Sequence, residues 1–264
     1  MIGAIIGDIV GSRFEFHNTK SKNFKLFHED CDFTDDTIHT LAVALSLTEY
    51  KLNGGDLRDI TRNNLKNLSR RYPHAGYGGM FYRWMISSSL EPYNSYGNGA
   101  AMRISPVGDV AETIEEAKKL SYLVTSVTHN HPEGLKGAEA VAVATVLVKQ
   151  HKSKEEIRTY MEENYYPTIL GFKEYHDRIR GHGEEICQVS VPQALGCFFD
   201  SDSFEDCIRN AIAIGGDSDT IAAIAGGIAE HYYGVPESLE KKAFMFLFPN
   251  HREIVREFRK AYNL

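Results

Sequence analysis

The sequence predicts an all-α fold in one domain spanning residues 1–264. Three observations predict it. Apolar residues recur at helical spacing through most of the chain, alternating strand patterns are scarce, and polar starter residues precede the periodic runs. Residues 188–191 hint at a strand but are too short to count.

Taken in order, residues 37–51 carry Ile38, Leu41, Val43, Ala44, Leu45 and Leu47 on a broad apolar face. Residues 57–70 are amphipathic, with Ile60, Leu65 and Leu68 inward. Residues 71–110 are the least regular, mixing Gly76, Gly78, Gly79, Gly97, Gly99 and Gly108 with aromatics, and read as functional loops on a helical scaffold. Thr113 and Glu116 spell a capping box ahead of residues 117–127. Pro132 suits the first turn of a helix that runs to about Gln150. Ser153 and Glu156 repeat the box before 157–163, and Ser203 can cap 204–214. Pro236 opens 236–246, and 252–262 form a last short helix. Residues 220–231 stand apart, because they are apolar on nearly every side and rich in Ala and Gly. That pattern predicts a central buried helix which neighbours can approach closely.

Bulk properties narrow the class. Hydrophobic residues at 42% and charged residues at 25% fit a soluble globular chain long enough to bury a core without disulfides. A net charge of −7 argues against a broad nucleic-acid-binding face. Cys31, Cys187, Cys197 and Cys207 include no Cys-x-x-Cys pair, which disfavours a thiolate zinc site or redox motif and leaves small buried hydrophobes. The apolar stretch from Met1 is short, lacks a basic leader and is interrupted by Asp8, so it makes a poor signal peptide. No apolar run is long enough to span a membrane. The expectation is a cytoplasmic monomer.

Two acidic clusters carry the chemistry. One is Thr34-Asp35-Asp36-Thr37 and the other is Asp217-Ser218-Asp219-Thr220, preceded by Gly215-Gly216. Each packs two carboxylates and a hydroxyl into one helical turn. Thr and Asp at helix starts commonly cap free amides and complement the dipole. A cap, however, needs one acceptor, and each cluster has two carboxylates. If the clusters meet, four aspartates and two threonine hydroxyls form an oxygen-only site suited to Mg²⁺ or Mn²⁺. Two ions about 4 Å apart would fit that ligand set.

Other segments are less specific. Glu15, between Phe14 and Phe16, fits an apolar wall near the site or a solvated surface. The loop Ser95-Tyr96-Gly97-Asn98-Gly99, with Arg103 following, could cradle phosphate or be an ordinary turn. Gly76-Tyr77-Gly78-Gly79 is a second such turn. The pair His129 and His131 lacks a thiolate neighbour, which disfavours zinc; either a substrate contact or a structural role suits it.

Together these segments resemble the ADP-ribosylglycohydrolase family, of the dinitrogenase-reductase-activating glycohydrolase type. The matching pieces are Gly7-Asp8 with Glu15, Thr34-Asp35-Asp36-Thr37, Gly76-Tyr77-Gly78-Gly79, Ser95-Tyr96-Gly97-Asn98-Gly99 with Met102-Arg103, Thr128-His129-Asn130-His131-Pro132, and Gly216-Asp217-Ser218-Asp219-Thr220, in family order. The resemblance implies a single compact orthogonal helical domain with a dinuclear Mg²⁺ or Mn²⁺ centre at helix N-termini. It implies Thr34, Asp35, Asp36, Asp217, Asp219 and Thr220 as metal ligands, and Glu15 as an acid beside the metals. Ser95, Tyr96, Gly97, Asn98 and Gly99 would surround diphosphate and ribose, with Tyr96 a stacking face. His129 or His131 would touch substrate. Many relatives have Thr where Ser218 stands, at a position not expected to ligate. The implied reaction is hydrolysis at ribose C1″ of an ADP-ribosylated protein or a small ADP-ribose conjugate, with Glu15 or Asp35 as acid or base. The Ser-Tyr-Gly-Asn-Gly spelling leans toward serine-linked or other O-linked ADP-ribose and leaves the arginine-linked branch open. The alternatives are a di-metal phosphohydrolase and a non-catalytic, crystallin-like member.

Overall fold

The structure is a computed structural model that describes residues 1–181 and 183–264. Among the described residues there are fifteen α-helices, one 3₁₀ turn and no strand beyond a single bridge between Gly97 and Ile186. The helices are α1 Ile2–Gly11, α2 Asp35–Asn53, α3 Leu57–Arg71, α4 Gly79–Ile86, α5 Gly99–Met102, α6 Ser105–Val110, α7 Ile114–Thr125 and α8 Pro132–Lys149. They continue with α9 Lys154–Asn164, α10 Phe172–Arg178, α11 Cys187–Phe199, α12 Phe204–Ala213, α13 Ser218–Tyr233, α14 Glu237–Phe246 and α15 Pro249–Tyr262. The all-α expectation holds.

The centre is a pair of helices. α13 is buried from Ser218 to Ala229, and α1 is buried along its whole length. Their backbones touch because α1 presents Gly3, Gly7 and Gly11 on one face. A Cβ on Gly3 would lie 2.1 Å from the Gly226 carbonyl oxygen, and one on Gly7 would lie 2.1 Å from that of Ala222. A Cβ on Gly11 would lie 2.5 Å from the Asp219 Cα. The glycine stripe therefore sets how close Asp8, on α1, comes to the acids that start α13.

Several expectations shift at their edges. The Ser153–Glu156 box closes with both of its bonds. At α7, Thr113 caps the Glu116 amide at 3.1 Å, but the Glu116 carboxylate binds the Glu112 amide instead of that of Thr113. Residues 188–191 are helical, not extended: they open α11, whose Val189, Val191 and Pro192 mask a helical pattern. Lysines close several helices, with Lys66, Lys149 and Lys154 donating to the orphan carbonyls that end α4, α6 and α11. All four cysteines are buried free thiols, and no described helix is long and apolar enough to cross a membrane.

Candidate active site

The two acidic clusters meet. α2 and α13 both begin at one cavity of about 230 Å³, lined by Glu15, Asp35, Asp36, Asp217, Asp219 and Thr220. Ser95, Gly97, Asn98, Gly99, His129, His39, Gly76, Gly78, Gly79 and Phe81 complete the lining.

Each acid is held by local structure. Thr34 is the N-cap of α2: its hydroxyl accepts from the Asp36 amide at 3.3 Å and donates to Asp8 Oδ1 at 2.7 Å. One lone pair of Thr34 remains. Asp8 reaches across from α1 and accepts from the Thr34 and Thr37 amides at 2.9 and 3.0 Å, so it supplies the charged cap of α2. That leaves the Asp35 and Asp36 carboxylates out of capping. The Asp35 amide donates to the Ala75 carbonyl at 2.7 Å, which brings the Gly76 turn over the site.

At α13, Gly215 and Gly216 take φ of +78° and +80°, left-handed values that glycine adopts without strain. Asn18 clamps this turn, donating to the Gly216 carbonyl and accepting from its amide. Asp217 occupies the N-cap position without a side-chain capping bond. Its carboxylate instead accepts from Asn98 Nδ2 at 2.6 Å. The capping explanation thus holds for Thr34 and not for Asp217.

The carboxylates are crowded. Oxygens of Asp8, Asp36 and Asp219 lie within 4.8 Å of one another, and so do those of Glu15, Asp217 and Asp219. Asp219 belongs to both trios. Asp36 Oδ1 and Asp219 Oδ1 are fully buried without a hydrogen bond. Thr220 donates to the other Asp36 oxygen at 3.2 Å. Among the described residues no lysine or arginine pairs with Asp8, Asp35, Asp36 or Asp219. Burial pushes Asp8 up to about 6 against the pull of its bonds to Thr37 and Thr34. Desolvation, reinforced by the neighbouring carboxylates, raises Asp35, Asp36 and Asp219 well above the usual carboxylate range. Orphaned buried oxygens among like charges are what a divalent cation relieves, and the donors are all hard oxygens.

The remaining expected residues divide. Ser95, Gly97, Asn98, Gly99 and His129 line the cavity, whereas Tyr96 and His131 do not. His131 is the N-cap of α8, with Nδ1 accepting from the Glu133 amide at 3.1 Å. Its ring lies 5.0 Å from that of Tyr96, which is 45% exposed and so stands at the rim. Of the two histidines, His129 faces the cavity. Glu15 sits with Asp217 and Asp219 and not in an apolar wall.

Sequence reasoning gave Asp8 no role beyond its place in a matching piece, and missed Asn18 and His39 as parts of this site. His39 is 2% exposed, packs at a tilt against the rings of Phe81 and Tyr77, and has both ring nitrogens without a partner. Helical projection would have found it, since it lies three and four residues after Asp36 and Asp35. Asp8 carried a fainter signal, an acid inside an apolar run.

The sequence matches the family described as ADP-ribosylglycohydrolase over residues 1–243. This chain belongs to the ADP-ribosylglycohydrolase family. Among curated proteins it is 27% identical to mouse ADP-ribosylhydrolase ARH3, over 91% of this chain and 85% of that protein. It is 26% identical to the ADP-ribosylarginine hydrolase Tri1 of Pseudomonas putida, over 92% and 73%. It is 25% identical to the ADP-ribosyl-[dinitrogen reductase] glycohydrolase of Rhodospirillum rubrum, over 89% and 85%. A solved ADP-ribosylglycohydrolase-related protein complex contains a chain of the same fold, with a TM-score of 0.69, 21% identity and coverage of 99% and 96%. As a member of this family the chain is a hydrolase, and its acidic clusters share one cavity.

Proposed function

We propose that this enzyme hydrolyses the glycosidic bond at ribose C1″ of an ADP-ribosylated side chain or a small ADP-ribose conjugate, with two Mg²⁺ or Mn²⁺ ions. The observation that carries the reading is the pair of orphaned buried oxygens, Asp36 Oδ1 and Asp219 Oδ1, in the cavity that also holds the Gly97–Gly99 loop and His129. The two acid trios sharing Asp219 support two ions. Asp35, Asp36, Asp217, Asp219, Thr220 and the remaining Thr34 lone pair would hold them. When bound, such ions orient the ribose diol and stabilise developing charge.

The chain's own groups do the rest. Glu15, beside Asp217 and Asp219, would move a proton to the leaving atom or from water, with Asp35 the second candidate. The backbone amide of Gly99, with His129, would receive the diphosphate, the Gly97 amide being already bonded to Ser95 Oγ. Tyr96 and His131 would meet substrate only at the rim. The cytoplasmic, monomeric state expected from the sequence belongs to the same proposal.

The test is incubation with ADP-ribosyl-serine and ADP-ribosyl-arginine peptides, with Mg²⁺, Mn²⁺ or excess chelator. Metal-dependent release of ADP-ribose from either peptide supports the reading and selects the linkage. Phosphate release from an aryl phosphate, with no ADP-ribose from either peptide, would replace it with the phosphohydrolase. Inactivity on all three, with no ADP-ribose binding, would leave the non-catalytic reading.

A further inference from the structure

Arg103 is among the largest fully buried side chains of the molecule, at 0% exposure. It forms no ion pair among the described residues, and its Nε and Nη1 have no hydrogen-bond partner. Its one bond runs from Nη2 to the hydroxyl of Thr128 at 2.7 Å. That hydroxyl lies 2.8 Å from Nδ1 of His129. Thr128 is completely buried and His129 is 5% exposed. On the far side of the ring, Nε2 faces the glycine loop: a Cβ on Gly99 would lie 3.3 Å from it and one on Gly97 3.8 Å.

We propose that Arg103, acting through Thr128, is a positioning residue that fixes His129 in its Nε2–H tautomer and so presents an N–H donor to whatever lies against the Gly97–Gly99 loop. The reason is a count of protons. A guanidinium is donor-only, so Thr128 Oγ1 must accept from it. Thr128 is completely buried, so its own proton needs an acceptor. Of the two groups hydrogen-bonded to Oγ1, the guanidinium and His129 Nδ1, only Nδ1 can accept it. Nδ1 is then the acceptor and Nε2 keeps the hydrogen. Burial, together with the nearby Arg103 charge, keeps His129 neutral by holding its pKa well below the usual histidine value. A neutral ring has one proton, and the relay decides which nitrogen carries it. An N–H donor suits an oxygen acceptor such as a diphosphate, whereas the other tautomer would present a lone pair to it. Arg103 does not line the cavity, so it acts through Thr128 alone. The consequence for ligand binding rests on the ADP-ribose reading; the tautomer does not.

The test is nitrogen-resolved imidazole NMR of the ligand-free protein at neutral pH, with His129→Gln assigning the signal. The expected wild-type pattern is a neutral Nε2–H ring. Thr128→Val removes the hydroxyl at nearly constant shape and should release the ring to the other tautomer or a mixture, while Thr128→Ser should restore the wild-type pattern. ADP-ribose affinity should fall about tenfold in Thr128→Val and recover in Thr128→Ser. Arg103→Met, where it folds by circular dichroism, should also lose the fixed tautomer; where it does not fold, the Thr128 pair decides. An Nδ1–H ring in the wild type, or a ring unchanged by Thr128→Val, would overturn the proposal. A fixed Nε2–H ring in a protein that binds no ADP-ribose would keep the relay and defeat the functional reading instead.

Discussion

The two ends of α13 both bury acids, and they are treated oppositely. At its C-terminal end, Glu230 accepts from the Met1 ammonium at 2.7 Å. Asp109 lies between that ammonium at 3.0 Å and His231 at 2.8 Å. Burial alone would raise Asp109, but the Met1 charge and His231 outweigh it and hold the carboxyl below its usual value. At the N-terminal end, Asp219 faces Asp217 and Asp36, and burial and repulsion push it up. One helix thus joins a cluster whose charge the protein balances to one where, among the described residues, no lysine or arginine pairs with Asp36 or Asp219. Burial is common to both, so burial does not mark function. Crowding of buried acids with no lysine or arginine paired to them is the sharper sign, because such acids must either stay protonated or be met by a cation.

Substitutions should separate the two ends. The largest effect is expected from Asp36→Ala or Asp219→Ala, which should lower metal-dependent ADP-ribose release by about 10³-fold or more. The metal-free melting temperature of these variants should stay level or rise, since a repelling charge is removed. Full activity in either would break the contrast. Asp109→Ala should do the reverse, costing about 3–5 kcal/mol in urea unfolding by leaving the Met1 ammonium and His231 short of an acid, with turnover per folded molecule unchanged. Asn98→Ala should be intermediate. Its amide holds Asp217 as well as Ser190, so cation affinity measured by calorimetry should fall about 10–100-fold. A change confined to the Michaelis constant would show that Asn98 serves only the substrate.

The smallest effect is a pH trend. Carboxyls raised in the folded state bind protons more tightly there than in the unfolded chain. They therefore destabilise the metal-free protein as pH climbs from about 4 through 6 for Asp8, and higher for Asp35, Asp36 and Asp219. On acidification from pH 7.5 to 5.5 these acids should raise the metal-free melting temperature, and saturating Mn²⁺ should flatten their share of the slope. Asp109, shifted down, loses its contribution only at lower pH, and the Met1 ammonium, shifted up, only at higher pH. His39, His129 and His251, held below the usual histidine value by burial, pull the other way in this window, so the N-terminal end of α13 is read by the difference in slope between the wild type and Asp36→Ala or Asp219→Ala. An identical metal-free slope in wild type and both variants would contradict the assignment.

Legibility in the sequence followed locality. The amphipathic helices α3 and α9 announce themselves by one apolar stripe and a cap. α1 did not, because it is buried on all sides and carries three glycines in ten residues, which removes both the stripe and the propensity. α4, α6 and α10 are short and lie among turn residues. The acids of the two clusters were legible because two helix starts each spell a pair of aspartates within one turn. The balanced cluster was not, since it draws on positions 1, 109, 230 and 231. Asp8's role and Asn18 escaped for a related reason: each acts on a segment distant in sequence. Choosing between His129 and His131 needed the cap at α8, a backbone bond that no residue spacing specifies.

Calorimetric titration of chelator-stripped protein with Mn²⁺ tests the central claim most directly. The account predicts saturation at two ions in the wild type and in Asp109→Ala, with binding abolished or cut to a fraction in Asp36→Ala and Asp219→Ala. No binding in the folded wild type, or equal binding in all four proteins, would contradict it.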